Sequence, residues 1–286
     1  MSQAFAWFKH LRMRRGSKVA AQFFYMWKLH RTPFKAIINN MLEILDKYNA
    51  KFTFPTVAFT GMHDKNLLLS LQHDGHEIAS HGYKHIRYQF LPKNAQERDL
   101  KASLITFKQL GINIKGFRAP YNMYNNDTLM LIKKYRFLWD AGIGYNPKFN
   151  KQYSFFQIEV QNQKSSFVCI PLNIYTDDLL IDSWHLNEEQ MGKIFQKTLT
   201  KVSKKGDLIM FDLHPIRIGQ TNYIKSLQSL IECGTKLGGW FPTVSDAVTY
   251  WQKNGTWKHD SKFAVLLTGD IDNFVFFRDY ISRIRN

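Results

Sequence analysis

Apolar and polar positions alternate along the chain from about residue 50 in a way that predicts alternating strands and helices. Five short apolar runs are typical of buried strands: KFTFPTVAF, IKGFRAP, RFLWDAGI, FVCIPLN and DLIMFDLHP. Five amphipathic stretches are typical of helices: DKNLLLSLQHD, NAQERDLKASLITFKQLG, NNDTLMLIKKY, NEEQMGKIFQKTLTKV and NYIKSLQSLIECGTKLGG. Because alternating strands and helices favour a parallel sheet, we expect an α/β fold built on a parallel sheet or barrel.

The C-terminal segment, KFAVLLTGDIDNFVFFRDYISRIRN, begins a new strand after the helix-like stretch SDAVTYWQKN. Its apolar strand is followed by an acidic turn and a basic amphipathic helix. Two interpretations fit this restart. Residues 262–286 are either part of the same barrel, out of the usual order, or the beginning of a truncated second domain.

Residues 1–48 predict a basic, aromatic-rich helical region. Its apolar and cationic residues are interleaved: Phe5, Phe8, Leu11, Val19, Phe23, Phe24, Met26 and Trp27 alternate with Lys9, Arg12, Arg14, Arg15 and Lys18. The apolar stripe could pack on the host domain, contact an anionic membrane surface or, as a third option, bind nucleic acid. No sequence motif of a nucleic-acid-binding protein supports the last option.

The composition of the chain limits the kinds of partner and the cellular location that we expect. The formal net charge of +16 over 286 residues implies attraction to an anionic partner, such as a lipid surface, nucleic acid or a phospho-sugar. The two cysteines, Cys169 and Cys233, lack metal-knuckle or redox spacing and are interpreted as ordinary buried thiols. No stretch has the pattern of a signal peptide or a membrane-spanning helix. We therefore expect a cytoplasmic location, either free or peripheral to the inner face of the membrane.

The segment GHEIASHGYKH contains two histidines, His81 and His85, four residues apart. On one face of a helical turn, two such imidazoles can chelate one divalent metal ion. Pairs with this spacing also arise by chance in a chain with ten histidines, so the motif alone is weak evidence.

Polar residues at the ends of the strand-like runs strengthen the metal hypothesis. They are Arg118, Asp140, His214, Asp270 and Asp272. In β/α barrels the C-terminal ends of the strands form the active site. Each residue alone could be a surface ion pair or a turn residue, but their repeated placement at strand ends favours a common site.

Three of these segments carry a family resemblance. GHEIASHGYKH resembles the metal-binding histidine motif of the polysaccharide deacetylases (the NodB-homology family), GFRAPY resembles their Arg-x-Pro-Tyr motif, and IMFDLHP resembles their late histidine motif. The family also has an aspartate pair after its first strand, and here LTGDID at 267–272 supplies it.

The resemblance therefore implies a distorted (β/α) barrel of about seven parallel strands that is circularly permuted, with an inserted basic helical region. We expect one domain over residues 1–286, made of the helical region 1–48, the main barrel portion 49–257 and the permuted first strand and following helix at 262–286.

The resemblance also implies a divalent metal ion, zinc, bound by His81, His85 and one aspartate. The family's motif order favours Asp270 as the catalytic base and Asp272 as the ligand. Ile271 separates the two, where the family has them adjacent, so the reverse assignment stays open.

Further roles follow from the same resemblance. Arg118 would hold the base aspartate through a two-atom contact, and the backbone amide of Tyr121 would contribute to the oxyanion site. His214 would protonate the leaving amine, with Asp140 as its partner. Gly82 stands where the family usually has Ser or Thr, which weakens support for the histidine loop.

Three more residues are candidates for substrate binding: Pro120, Trp139 and Trp184. The tryptophans could stack on a sugar ring or fill the core, and sequence does not separate these options. Asp177 and Asp178 are loop carboxylates without an assigned role.

The leading function is removal of an N-acyl group, most simply acetyl, from an amino sugar or its lipid- or nucleotide-linked form. A second hypothesis is hydrolysis of a non-sugar amide or cyclic imide on the same fold, since function resides in the pocket. A third is a non-catalytic protein that binds membranes or polyanions through its basic surface. The oligomeric state is open.

Overall fold

A computed structural model describes residue 21 and residues 23–143, 154–258 and 261–280. The apolar runs of the sequence form short buried strands, and the strands are listed here in chain order: β1 (Thr53–Thr56), β2 (Glu77–Ser80), β3 (Gly116–Phe117), β4 (Trp139–Asp140), β5 (Glu159–Val160), β6 (Gln163–Lys164), β7 (Val168–Cys169), β8 (Leu208–Asp212), β9 (Gly239–Trp240) and β10 (Phe263–Thr268).

Amphipathic helices connect most of these strands. They are α1 (Phe34–Lys47), α2 (Ala58–Gly61), α3 (Lys65–His73), α4 (Lys93–Leu110), α5 (Asn126–Lys134), α6 (Glu188–Ser203), α7 (Pro215–Ile218), α8 (Ile224–Lys236) and α9 (Val244–Asn254). Short 3-10 turns cover Met62–Asp64, Tyr88–Phe90 and Pro120–Asn122, and π-helical turns cover Asp178–Ser183 and Phe276–Tyr280. None of the helices in the described ranges is both long and apolar enough to cross a membrane.

Seven parallel strands form one curled sheet in the order β7-β4-β3-β2-β1-β10-β8, and the short β9 pairs beside them with β10. The backbone amide of Asn173 donates to the carbonyl of Met210 over 3.0 Å, which brings the two edges of the sheet together. β5 and β6 form a separate antiparallel hairpin. The predicted distorted barrel of about seven parallel strands is confirmed.

The C-terminal strand lies inside the sheet. All six side chains of β10 are buried, and the strand pairs with β1 on one side and with β8 on the other. The residues after β10 continue this pairing, because the amide of Ile271 donates to the carbonyl of Pro55 over 2.8 Å. The predicted restart at residue 262 therefore lies in the same sheet as β1 and β8.

The basic N-terminal region contributes to the core where it is described. Helix α1 buries Ile37, Ile38, Met41 and Leu45 in the same apolar cluster as the barrel. Residues 23–29 are also helical, and the ring of Phe23 lies 4.9 Å from that of Phe276. The predicted helical region 1–48 is thus helical over 23–29 and α1. Its residues 1–20, including Arg12, Arg14 and Arg15, lie outside the described residues.

Candidate metal-binding active site

Five functional side chains come together where parallel strands end. His81 follows β2, Arg118 follows β3, His214 follows β8, and Asp270 and Asp272 follow β10. Because all these strands are parallel, their carboxyl ends lie at one end of the barrel. β10 thereby places its two aspartates next to residues that are about 185 positions away in sequence.

His81, His85 and Asp272 form a compact group of potential metal ligands. One ligand atom from each lies within 4.8 Å of the others. Nε2 of His85 is 3.3 Å from Oδ1 of Asp272, and Nε2 of His81 is 3.7 Å from the same oxygen. Ligand atoms around a tetrahedral zinc ion are roughly 3–3.5 Å apart, so this group fits one divalent ion.

The hydrogen bonds of His81 support a metal-ligand role. Its Nδ1 atom donates to the carbonyl of Arg118 over 2.8 Å, which leaves the lone pair on Nε2. Nε2 is buried and forms no hydrogen bond within the described part of the chain. A bound cation would satisfy this buried nitrogen, since two carboxylate oxygens at 3.4 and 3.7 Å already approach the same point.

Arg118 is fully buried and joins two aspartates. Its Nη1 atom donates to Oδ1 of Asp270 over 2.9 Å and to Oδ1 of Asp212 over 2.8 Å. Nη2 donates to the hydroxyl of Thr268. The predicted contact between Arg118 and Asp270 is therefore present, but the predicted two-atom geometry is wrong, because one nitrogen serves both aspartates.

The charges around Asp270 keep this carboxylate ionised. Burial opposes ionisation, but the neighbouring positive groups, Arg118 among them, hold the pKa of Asp270 below its ordinary value. Burial raises the pKa of Asp212, which shares the same guanidinium. Asp212 ends β8 in the IMFDLHP segment, and the sequence pattern did not indicate a role for it. Asp270 is thus ionised near neutral pH and has the free oxygen lone pairs that a proton acceptor needs.

His214 is paired with Asp177. Its Nδ1 atom lies 2.8 Å from Oδ1 of Asp177, and its Nε2 atom lies 3.8 Å from Oδ2 of Asp270. Burial favours the neutral imidazole, but the negative charges of Asp177 and Asp212 outweigh it and raise the pKa of His214 to about 10. The imidazolium form, which can donate a proton, is therefore favoured.

The predicted pairing of Asp140 with His214 is wrong. Asp140 is buried at the end of β4, where its Oδ1 atom accepts a hydrogen bond from the amide of Gly142 over 3.0 Å. Burial raises its pKa to about 7. Asp177 was missed because it lies in a loop, the NIYTDDLLID segment, where sequence shows two adjacent carboxylates and no contact.

Trp139 lies in the core. It is completely buried, and its indole N–H donates to Glu77 and to Ser245 in the core. The predicted substrate-binding role is therefore wrong for Trp139. Trp139 belongs to β4, and successive side chains of a strand point to opposite faces of the sheet. Sequence alone did not show which face the indole would occupy.

Tyr121 lies beside the candidate metal ligands. Its ring centroid is 4.3 Å from that of His85, and the guanidinium of Arg87 lies 4.7 Å from the Tyr121 ring centroid. Tyr121 has a positive φ of 61° in the turn that begins with the buried Pro120. The oxyanion role of its backbone amide and the substrate-binding role of Pro120 stay predictions. Trp184 is 48% exposed and lies against Tyr175, and its role also stays a prediction.

These groups open into a cleft of about 770 Å³. Its polar lining includes the site residues His85, His214, Asp270 and Asp272, and its apolar lining includes Met26 and Phe34 from the N-terminal region. Asn173 also lines the cleft and was missed. Its Oδ1 atom accepts from the amide of Tyr175 over 3.4 Å, while its buried Nδ2 atom forms no hydrogen bond within the described ranges.

The sequence matches the model of the family described as polysaccharide deacetylase over residues 18–138. A crystal structure described as a polysaccharide deacetylase from Mycobacterium smegmatis is 19% identical, with a TM-score of 0.68 over 80% of this chain and 81% of that chain. Over residues 18–138, the chain is similar to the polysaccharide deacetylase family. The fold is the half-barrel of parallel strands and helices that those deacetylases have.

Two further structures share the deacetylase-like fold. A probable polysaccharide deacetylase from Pseudomonas aeruginosa PAO1 is 17% identical, with a TM-score of 0.69 over 82% of this chain and 77% of that chain. The Puue allantoinase is 16% identical, with a TM-score of 0.69 and the same coverages. No curated protein matches the sequence.

The family match contains only part of the site. It includes His81, His85 and Arg118, and it ends before His214 and the two aspartates after β10. These later residues join the site through the fold. Together, the family match and the fold support a deacetylase or a related amide hydrolase with a candidate metal-binding group.

Proposed function

We propose that this protein is a metal-dependent hydrolase that removes an N-acyl group, acetyl in the simplest case, from an amino sugar or its lipid- or nucleotide-linked form. One observation carries the proposal. The potential ligands His81, His85 and Asp272 lie next to Asp270 and His214 at the end of an open cleft. Amide hydrolysis needs both a proton acceptor and a proton donor at the reacting carbon, and these two residues can supply them.

The proposed metal ion is zinc, held by His81, His85 and Asp272. When bound, it supplies a Lewis acid that polarises the amide carbonyl and lowers the pKa of a water molecule. The imidazole and carboxylate ligands suit zinc, and three protein ligands leave room for water and substrate.

The remaining steps fall to the protein's own groups. Asp270, kept ionised by Arg118, accepts the proton of the attacking water. The backbone amide of Tyr121 donates to the oxyanion that develops on the acyl oxygen. His214, held protonated by Asp177, donates a proton to the departing amine.

Metal analysis combined with a substrate screen tests this proposal. Purified protein should bind about one zinc ion, and His81→Ala should lose both the metal and the release of acetate from N-acetylated sugars. Gln72→Ala, which removes a half-buried side chain on α3 away from the cleft, is a matched control and should keep both. A His81→Ala protein with full metal content and full activity would refute the proposal.

A second enzymatic function is favoured by one comparison. The Puue allantoinase has a TM-score of 0.69 to this chain, as high as the deacetylase from Pseudomonas aeruginosa. Hydrolysis of a non-sugar amide or a cyclic imide would use the same groups. Release of product from ureides or imides, with none from acetylated sugars, would select this alternative.

We propose that an anionic membrane surface is a partner. Trp27 is 43% exposed and Phe277 is 64% exposed, and both line a second cavity. Phe34 lines this cavity and also the active-site cleft. The exposed cations Lys28, Arg31 and Lys35 lie in the same region of the chain. Aromatic side chains mixed with cations are typical of surfaces that bind anionic lipid.

Vesicle sedimentation tests the membrane proposal. Trp27→Ala combined with Phe277→Ala should weaken binding to vesicles that contain phosphatidylglycerol, and phosphatidylcholine vesicles should bind neither protein. Ile105→Ala, which removes an exposed apolar side chain on α4, is the control. Equal binding by all three proteins would contradict the proposal. In the same assay, a variant in which the charges of Arg12, Arg14 and Arg15 are reversed tests the contribution of residues outside the described ranges.

The third hypothesis, a non-catalytic membrane or polyanion binder, differs in its metal behaviour. Stoichiometric zinc that disappears when His81 and His85 are replaced would count against it. The cytoplasmic location stays a prediction.

We also propose that the chain is one domain and a circular permutant of the family's arrangement, with residues 262–286 as its first strand and helix and residues 1–48 as an insertion. β10 supports this, because it lies between β1 and β8 and ends in the two site aspartates.

A further inference from the structure

The loop between His81 and His85 is held by one carboxylate. The backbone amide of Tyr83 donates to Oδ2 of Asp99 over 2.8 Å, and the amide of Lys84 donates to Oδ1 over 3.0 Å. Both oxygens of Asp99 therefore bind consecutive amides in the short segment that connects the two histidines.

Tyr88 completes this arrangement. Its hydroxyl donates to Oδ2 of Asp99 over 2.7 Å, and its side chain is only 1% exposed. Asp99 is on α4 and Tyr88 is in the 3-10 turn after the loop. The carboxylate thus connects the loop to a long helix and to the turn that follows.

Gly82 makes room for Asp99. Its φ of +78° is strained for other residues, and a Cβ atom there would lie 2.9 Å from Oδ2 of Asp99 and 3.2 Å from the hydroxyl of Tyr88. The loop backbone therefore approaches Asp99 closely only because residue 82 has no side chain.

The two histidines depend on different supports. His81 directly follows β2, and its amide donates to the carbonyl of Thr56 over 3.0 Å. His85 follows no strand and reaches the site through the loop that Asp99 holds. Loss of the Asp99 contacts should therefore affect the position of His85 more than that of His81.

We propose that Asp99 and Tyr88 are positioning residues that hold His85 in the geometry required for metal binding. This inference rests on the metal site of the proposed function. Neither side chain is among the candidate ligands or the cleft lining. They would act by keeping the loop ordered before the metal binds, which reduces the entropy lost on binding.

The test measures zinc affinity, by competition with a chelating indicator, together with the thermal stability of the metal-free protein. Asp99→Ala should weaken zinc binding about 10- to 100-fold, the range typical for groups that orient metal ligands. Asp99→Asn should have a smaller effect because its amide keeps one acceptor oxygen. Tyr88→Phe should also have a smaller effect, because it removes one hydrogen bond and keeps the ring.

Phe107→Leu is the matched control. It lowers packing on the same helix, α4, where Phe107 is buried, without removing a bond to the loop. Its zinc affinity should stay within about twofold of that of the unaltered protein. This control separates the loss of metal-site geometry from general destabilisation.

Zinc affinity equal to that of the unaltered protein in Asp99→Asn and Tyr88→Phe would overturn the inference, even if Asp99→Ala fails to fold. If the unaltered protein itself binds no zinc, the proposed function fails and this inference fails with it. Zinc binding by the unaltered protein therefore distinguishes a failure of the proposed function from a failure of this inference alone.

Discussion

Nδ1 of His214 lies 2.8 Å from Oδ1 of Asp177, although the two residues are 37 positions apart. Asp177 is completely buried, so its charge acts on the imidazole through little solvent. Burial alone would lower the pKa of His214, and the charges of Asp177 and Asp212 raise it to about 10 instead. The folded protein therefore binds the His214 proton more tightly than the unfolded chain does.

The Asp177 contact predicts a pH dependence. The stabilisation from protonated His214 is complete below about pH 6.5, the ordinary pKa of histidine, and is lost as the pH rises toward 10. In Asp177→Asn the alkaline limb of the kcat/KM profile should move to lower pH, and kcat should fall by about 10²-fold or more. Initial rates on an N-acetylated sugar between pH 6 and 11 measure both effects.

Asp140→Asn is the comparison for that experiment. Asp140 is also buried but bonds to the amide of Gly142 and not to His214. Its variant should leave the alkaline limb in place. A shift caused by Asp140→Asn but not by Asp177→Asn would restore the pairing expected from sequence.

Asp140 itself should titrate near neutrality, because burial raises its pKa to about 7. A carboxyl group whose pKa is raised on folding makes the protein lose stability as the pH increases from about 4 to 7. In Asp140→Asn this part of the loss should be absent. The measured quantity is the melting temperature of the metal-free variant minus that of the metal-free unaltered protein. It should increase from pH 4 to about 7 and then level off up to pH 8. A constant difference would contradict a raised pKa.

Arg118→Lys should be harmful, although it keeps the positive charge. The guanidinium contacts Asp212, Asp270 and Thr268 at once, and a lysine ammonium cannot reproduce this planar arrangement. Removing one partner of a buried ion pair altogether costs about 3–5 kcal/mol, and Arg118→Lys should cost less than this because it keeps the charge. Urea unfolding should therefore show a loss of stability below that limit, together with a loss of activity. Wild-type stability in Arg118→Lys would show that the two aspartates do not depend on the guanidinium.

Trp139→Phe should affect stability and leave substrate binding unchanged. The indole N–H bonds to Glu77 and Ser245, and its loss leaves buried polar groups with fewer partners, at a cost of about 1–3 kcal/mol. KM should stay the same, since Trp139 is completely buried. Trp184→Ala is the contrasting variant. It should hardly change stability, and an increase in its KM would support a sugar-stacking role for Trp184.

The position of β10 makes the proposed permutation testable. A gene that starts at residue 259, joins residue 286 to residue 1 through a flexible glycine-serine linker, and ends at residue 258 should encode a protein that folds and binds zinc. β10 would pair with β1 and β8 as before, since pairing depends on position in the sheet and not in the sequence. Cooperative thermal unfolding and zinc content are the measurements. Unfolded products with both a short and a long linker would contradict the proposal.

Sequence by itself determined the class of fold and most of the site. Apolar runs predicted buried parallel strands, and the placement of His81, Arg118, His214 and the two aspartates at strand ends predicted that these residues would meet. These predictions succeeded because strand ends in a parallel sheet share one edge, so contacts between distant residues follow from local patterns.

Only the tertiary structure decided which groups pair within that edge. The partner of His214 is Asp177 in a loop, Asp212 shares Arg118 with Asp270, and Trp139 points into the core. A loop carboxylate and a strand tryptophan look the same in sequence whether they face the cleft or the core. The path of the loop and the orientation of the strand depend on packing against residues that are distant in sequence, and this packing has no local signature.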